Sequence, residues 1–158
     1  MYLRPIETLL VEDNEGDVLL TREAFSEGKL VINLSVVSNG VDALAFLRRE
    51  GQYADAPRAD VVLLDLNLPK LSGNEVLAAI RADPALRLTP VVILTSSDAH
   101  EDILKSYGLR ANCYITKPVG LKEFETVVRS IEDFWFSIVR LPSRASDYSD
   151  ATSRHQPN

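Results

Sequence analysis

Four short apolar runs recur along the chain, separated by longer stretches with helical spacing. This alternation limits the fold more than any other feature. The runs are TLLV at Thr8–Val11, INLSVV at Ile32–Val37, VVLL at Val61–Leu64 and VVIL at Val91–Leu94. Each is rich in leucine or β-branched residues and lies between turn or polar residues, as do strands buried on both faces of a parallel sheet. A short fifth strand is expected at Tyr114–Thr116. The first intervening helix is expected over Gly16–Glu27, with Val18, Leu19, Leu20 and Phe25 as its apolar set. A second follows Asn39–Gly40 and places Val41, Ala43, Leu44 and Leu47 on one side. A third begins near Gly73, carries Val76, Leu77 and Ile80, and stops by Asp83, because the residue before Pro84 disfavours helix. Strand and helix in alternation imply right-handed crossovers and a sheet covered on both faces, five β/α pairs in all.

The last helix differs from the others. From Leu121 onward Phe124, Val127, Val128, Ile131, Phe134, Trp135 and Ile138 fall at helical steps. Phe134, Trp135 and Phe136 are nevertheless consecutive and sweep roughly 200° of a helix, so one face cannot bury all three. Either the helix overhangs the domain or a partner covers the remainder. Beyond Leu141 the sequence is polar and Pro/Ser-containing, which suggests a domain over 1–141 and a flexible tail over 142–158.

Composition narrows the chemistry. With 158 residues there is room for one domain, and a core of that size needs no cross-links. Cys113 stands alone, which excludes disulfides and multi-cysteine metal sites, and His100 and His155 are too few for most histidine-built ones. No apolar run is long enough to cross a membrane and no secretory leader is visible, so a soluble cytoplasmic protein is expected, with no membrane association. Seventeen basic against twenty-three acidic residues give a net charge of −6 without any basic run, which argues against nucleic acid as a partner.

The acids that matter lie at strand ends. Glu12 and Asp13 follow the first run and Asp65 follows the third. In an open α/β sheet ligands bind beyond the carboxyl ends of the strands, where the winding reverses. Taken singly, such acids are as well read as solvated loop residues. If the first and third strands are neighbours, however, three carboxylates converge and require a cation, and hard oxygen donors select Mg²⁺. Thr95 ends the fourth run, and Lys117 follows the fifth strand just before Pro118. A lysine there can pair with a carboxylate or a phosphoryl oxygen, and a threonine hydroxyl can donate to the same oxygen.

Together LLVEDN, LLDLNLPKLSG, VVILTSS and CYITKP strongly resemble the receiver domain of two-component response regulators, over roughly residues 6–140. The opening VEDNEGDVLLTREAF and the ending IEDFWFSIVRLPS resemble more narrowly the single-domain regulators that pair with bacterial phytochromes. The resemblance implies a flavodoxin-like (βα)5 fold with strand order 2-1-3-4-5. It implies that Asp65 takes a phosphoryl group from a sensor histidine kinase, possible kinases including a bacteriophytochrome. Asp13, Asp65 and the Asn67 backbone carbonyl would hold Mg²⁺, with Glu12 acting mainly through a metal-bound water. Lys117 would pair with the phosphoryl group, Thr95 would hydrogen-bond to it, and Tyr114 would swing inward in response. Lys117–Pro118 is a candidate cis peptide.

Because only a polar tail follows Leu141, output is expected from the receiver surface itself. One such route is a homodimer through the fourth helix, fifth strand and fifth helix, motivated by Tyr107 and the aromatic surplus at Phe134–Phe136. A haloacid-dehalogenase-like phosphatase would need a second acid two residues after its nucleophile, where this chain has Asn67. A flavodoxin-like cofactor binder lacks its phosphate-cradling glycine run after the first strand. A pseudo-receiver that docks without phosphate is the remaining alternative, opposed by the retained acids, Thr95 and Lys117. No turnover of an external substrate is expected.

Overall fold

The computed structural model describes residues 5–26, 31–66, 68–95, 113–117, 120 and 122–126. Five parallel strands form one sheet in the order β2-β1-β3-β4-β5. They are β1 (Ile6–Val11), β2 (Ile32–Val37), β3 (Val61–Asp65), β4 (Val91–Thr95) and β5 (Cys113–Thr116). Among the described residues three helices connect them in part: α1 (Glu15–Ser26), α2 (Gly40–Arg48) and α3 (Gly73–Ala82). All the expected strands are present, β1 starting two residues earlier and β5 one residue earlier than the apolar runs alone indicate.

Side chains that alternate along each strand divide the core into two layers. Leu9, Val11, Val62, Leu64 and Ile93 pack with Ala43, Phe46, Leu47, Val76, Leu77 and Ile80 of α2 and α3. On the opposite face Leu10, Leu63, Val92, Leu94 and Ile115 pack with Phe25 and Phe124. The rings of Phe25 and Phe124 stack with centroids 4.3 Å apart, joining α1 to the helical segment 122–126. β3 lies in the middle of the sheet and buries all five of its residues, which is why its sequence is an unbroken apolar run up to Asp65.

Two helices turn differently from the expected apolar sets. In α1 the buried residues are Thr21 and Phe25, while Leu19 and Leu20 are 58% and 49% exposed. Phe25 fixes the inward face, and residues four and seven positions before it, Thr21 and Val18, share that face. Leu19 and Leu20 are rotated off it. In α2, Ala43, Phe46 and Leu47 are buried and Val41 is exposed, because Phe46 and not Val41 completes the inward stripe. The aromatic surplus at Phe134–Phe136, Tyr107 and the 142–158 tail lie outside the described residues.

The loops that carry the acids are held by local chemistry. Asn14 caps α1, its Oδ1 accepting from the Asp17 N–H at 2.9 Å. Ser72 and Glu75 form a reciprocal capping box at the start of α3. Gly73 allows α3 to lie directly against the end of β3: a Cβ there would sit 2.5 Å from the Asp65 carbonyl oxygen and 2.6 Å from Leu66 Cα. Its N–H donates to the Leu66 carbonyl at 3.0 Å. Lys70, in the same β3–α3 loop, adopts left-handed backbone with φ of 69°.

Candidate functional site

β1 pairs with β2 on one side and β3 on the other, so the winding reverses between β1 and β3. Val11 pairs with Leu64, which brings the residues after them, Glu12 and Asp65, to the same edge. The Glu12 N–H still donates to Val37 at 3.0 Å, so the ladder itself fixes where its side chain departs. Glu12, Asp13 and Asp65 each offer a carboxylate oxygen within 4.8 Å of the others. Glu12 and Asp65 are buried and Asp13 is exposed. Three acids so placed repel one another and have the hard oxygen donors that suit a divalent cation.

Lys117 reaches this cluster from the end of β5. Its Nζ donates to Glu12 Oε1 at 3.0 Å, to Asp17 Oδ2 at 3.0 Å and to Asp65 Oδ2 at 3.3 Å. The other Glu12 oxygen, Oε2, accepts from the Asn14 N–H at 3.1 Å. Glu12 is thus held between a backbone donor and an ammonium.

Burial pushes the Glu12 carboxyl up to about 7; the Lys117 bond opposes that rise and the nearby Asp65 charge adds to it. Burial acts on Lys117 in the opposite sense, disfavouring its charge. The hydrogen bonds to Asp17 and Glu12 and the charges of Asp65 and Glu12 outweigh it and hold the ammonium above the ordinary lysine range. The site therefore carries a firmly protonated lysine beside an acid poised near neutrality.

The structure brings together Glu12, Asp13, Asp65 and Lys117 as the sequence predicts. Thr95 lies at the end of β4, paired with Thr116, one residue before Lys117. Tyr114 lies on β5, paired with Ile93. Asn67 and Pro118 lie outside the described residues. Lys117 pairs with carboxylates of the cluster, as its place at the sheet's edge indicates, and Glu12 is one of the partners, which the sequence did not single out. Asp17 was missed altogether, because an acid in a first helical turn is ordinary. Its one signal in the sequence is its position four residues after Asp13.

Residues 8–129 match the family model of the response regulator receiver domain. The chain is 43% identical over 139 residues to the response regulator Rcp1 of Synechocystis sp., covering 88% of this chain and 95% of that protein. Among solved structures, the phosphorylated cyanobacterial phytochrome response regulator RcpA aligns with a TM-score of 0.70 and 46% identity, over 85% of this chain and 96% of that one. The Mn²⁺-bound form of Rcp1 aligns with a TM-score of 0.69 and 43% identity, over 87% and 99%. The chain belongs to the response regulator receiver domain family of two-component signalling proteins. Its fold is the flavodoxin-like receiver fold, and receiver domains of this family bind a divalent metal. No helix among the described residues is long and apolar enough to cross a membrane.

Proposed function

We propose that this chain is a single-domain response regulator whose Asp65 takes a phosphoryl group from the phosphohistidine of a sensor histidine kinase, a bacterial phytochrome being the kinase class. The observation that carries the reading is the Lys117 ammonium spanning Asp65 and Glu12 at the edge where three carboxylates meet. The likeness to the phytochrome response regulator RcpA supports the choice of kinase.

In the transfer, an Asp65 carboxylate oxygen bonds to phosphorus as the bond from phosphorus to the histidine nitrogen breaks, and the released imidazole takes a proton from solvent. Asp13, Asp65 and the Asn67 carbonyl would hold Mg²⁺, with Glu12 acting through a metal-bound water, and the ion would offset charge on the phosphoryl oxygens. Lys117 supplies a second positive charge to those oxygens, and the Thr95 hydroxyl donates to one of them. Later attack of water on phosphorus releases phosphate and restores the Asp65 carboxylate. No external substrate is turned over, so the chain is not an enzyme in the ordinary sense.

Output follows from the receiver surface: Tyr114 responds to Thr95, and two copies associate through the fourth helix, fifth strand and fifth helix. Incubation with acetyl phosphate and Mg²⁺, followed by intact mass, tests the central step. One added phosphoryl group on the native protein and none on Asp65→Asn is the expected result; equal labelling of both overturns the reading. Light scattering that gives the mass of one chain, with and without beryllofluoride, would refute the dimer.

A further inference from the structure

Asp17 has no part in the chemistry above. It lies in the first turn of α1 and not at a strand end, yet its Oδ2 is as close to the Lys117 ammonium as Glu12 is, at 3.0 Å, and closer than Asp65 at 3.3 Å. Its backbone is pinned on both sides. The N–H donates to Asn14 Oδ1 at 2.9 Å, and the carbonyl accepts from Thr21 Oγ1 at 2.9 Å. The side chain of Asp17 is 31% exposed, against 5% for Asp65 and 1% for Glu12, so the three acceptors run from a dry interior to a wet rim. An ammonium has three donors, and here they serve three different carboxylates.

Two of those carboxylates belong to the cluster suited to a divalent cation. A cation entering the cluster competes with the ammonium for Glu12 and Asp65, since each neutralises the same charge. We propose that Asp17 is a positioning residue that receives the Lys117 ammonium when Glu12 and Asp65 turn to the metal. It makes the exchange easier than release of Lys117 into water, and it keeps the ammonium beside Asp65 for the incoming phosphoryl group. The inference rests on the phosphoacceptor reading of Asp65. It gives α1 a direct hold on the site through a side chain that touches neither metal nor phosphorus.

Calorimetric titration with Mg²⁺ tests it on the native chain, Asp17→Asn, Asp17→Glu, Lys117→Met and the double variant Asp17→Asn/Lys117→Met. Asp17→Asn weakens Mg²⁺ binding about fivefold, and Asp17→Glu, which retains the carboxylate, restores it to within about twofold. In the Lys117→Met background the Asp17→Asn change alters the affinity by less than about twofold, because no ammonium is left to relocate. Native affinity in Asp17→Asn overturns the proposal. So does an equal loss in both backgrounds, which would make Asp17 a remote charge and nothing more. Circular dichroism on each variant confirms folding, and the Asp17→Glu rescue reads the role independently of the amide variant. Intact-mass labelling of Asp65→Asn separates the two levels: labelling of that variant overturns the phosphoacceptor reading. Its absence, together with native Mg²⁺ affinity in Asp17→Asn, overturns only the role of Asp17.

Discussion

Asp60 and Glu12 are buried to nearly the same degree, at 1% and 2% exposure, at opposite ends of the sheet. Their surroundings could hardly differ more. At the amino end of β3, Asp60 Oδ2 accepts from the Glu7 N–H at 2.8 Å, and the Asp60 N–H donates to the Glu7 carbonyl at 2.7 Å. This reciprocal pair fastens the start of β1 to the start of β3 through the backbone of Glu7, which is itself part of the ladder. At the carboxyl end, Glu12 faces a like charge, Asp65, and shares a flexible lysine with two other acids. Burial alone therefore does not mark a functional acid. The mobility and charge of its partners do: backbone donors make a fastener, and a lysine among competing acids makes a site.

Substitution at both ends sharpens this contrast. The largest difference concerns phosphoryl acceptance. Asp65→Asn loses it by at least about 100-fold because the nucleophile is gone, whereas Asp60→Asn stays within about twofold, read by intact mass after acetyl phosphate and Mg²⁺. Next comes packing at the carboxyl end. Gly73→Ala pushes a methyl group into the Asp65 carbonyl and Leu66 Cα, costs about 3 kcal/mol in urea unfolding, and slows labelling because α3 must back away from the acceptor.

Protonation gives a third difference. The unfolded Glu12 gives up its proton near 4.5 and the folded one near 7. Its contribution to stability is thus fully present below about 4.5 and is lost as pH rises to about 7, roughly 3 kcal/mol in all. In chelator, the native protein should lose stability between pH 5 and 8 relative to Glu12→Gln; parallel profiles would refute the poised acid. The smallest effects have opposite signs. Asp60→Asn costs about 2 kcal/mol by weakening a charged acceptor, while Asp65→Asn gains about 1 kcal/mol without metal by relieving repulsion. Thermal unfolding in chelator measures both, and equal signs would erase the distinction between the two ends.

Much of this was legible in the residues. The strands were, because β3 and β4 are buried on both faces and admit only apolar side chains until their last position. The converging acids were, because Glu12 and Asp65 end apolar runs and the strand order makes those runs neighbours. The inward face of α1 was not. Thr21 and Phe25 define it while Leu19 and Leu20 point outward, and local hydrophobicity favours the leucines. Asp17 was hidden for a related reason: its role comes from a lysine one hundred positions away, and no local pattern encodes that distance. Nothing in the sequence marks Asp60, since a backbone partner leaves no trace in side-chain chemistry.

Lys117 hangs from β5, the outermost strand, yet its ammonium rests on acids of β1 and β3 near the centre. One flexible side chain thus spans the top of the sheet like a tie rod. A change of charge on Asp65 therefore bears directly on a residue rooted at the border of the sheet, with no relay of packed valines and leucines between the two.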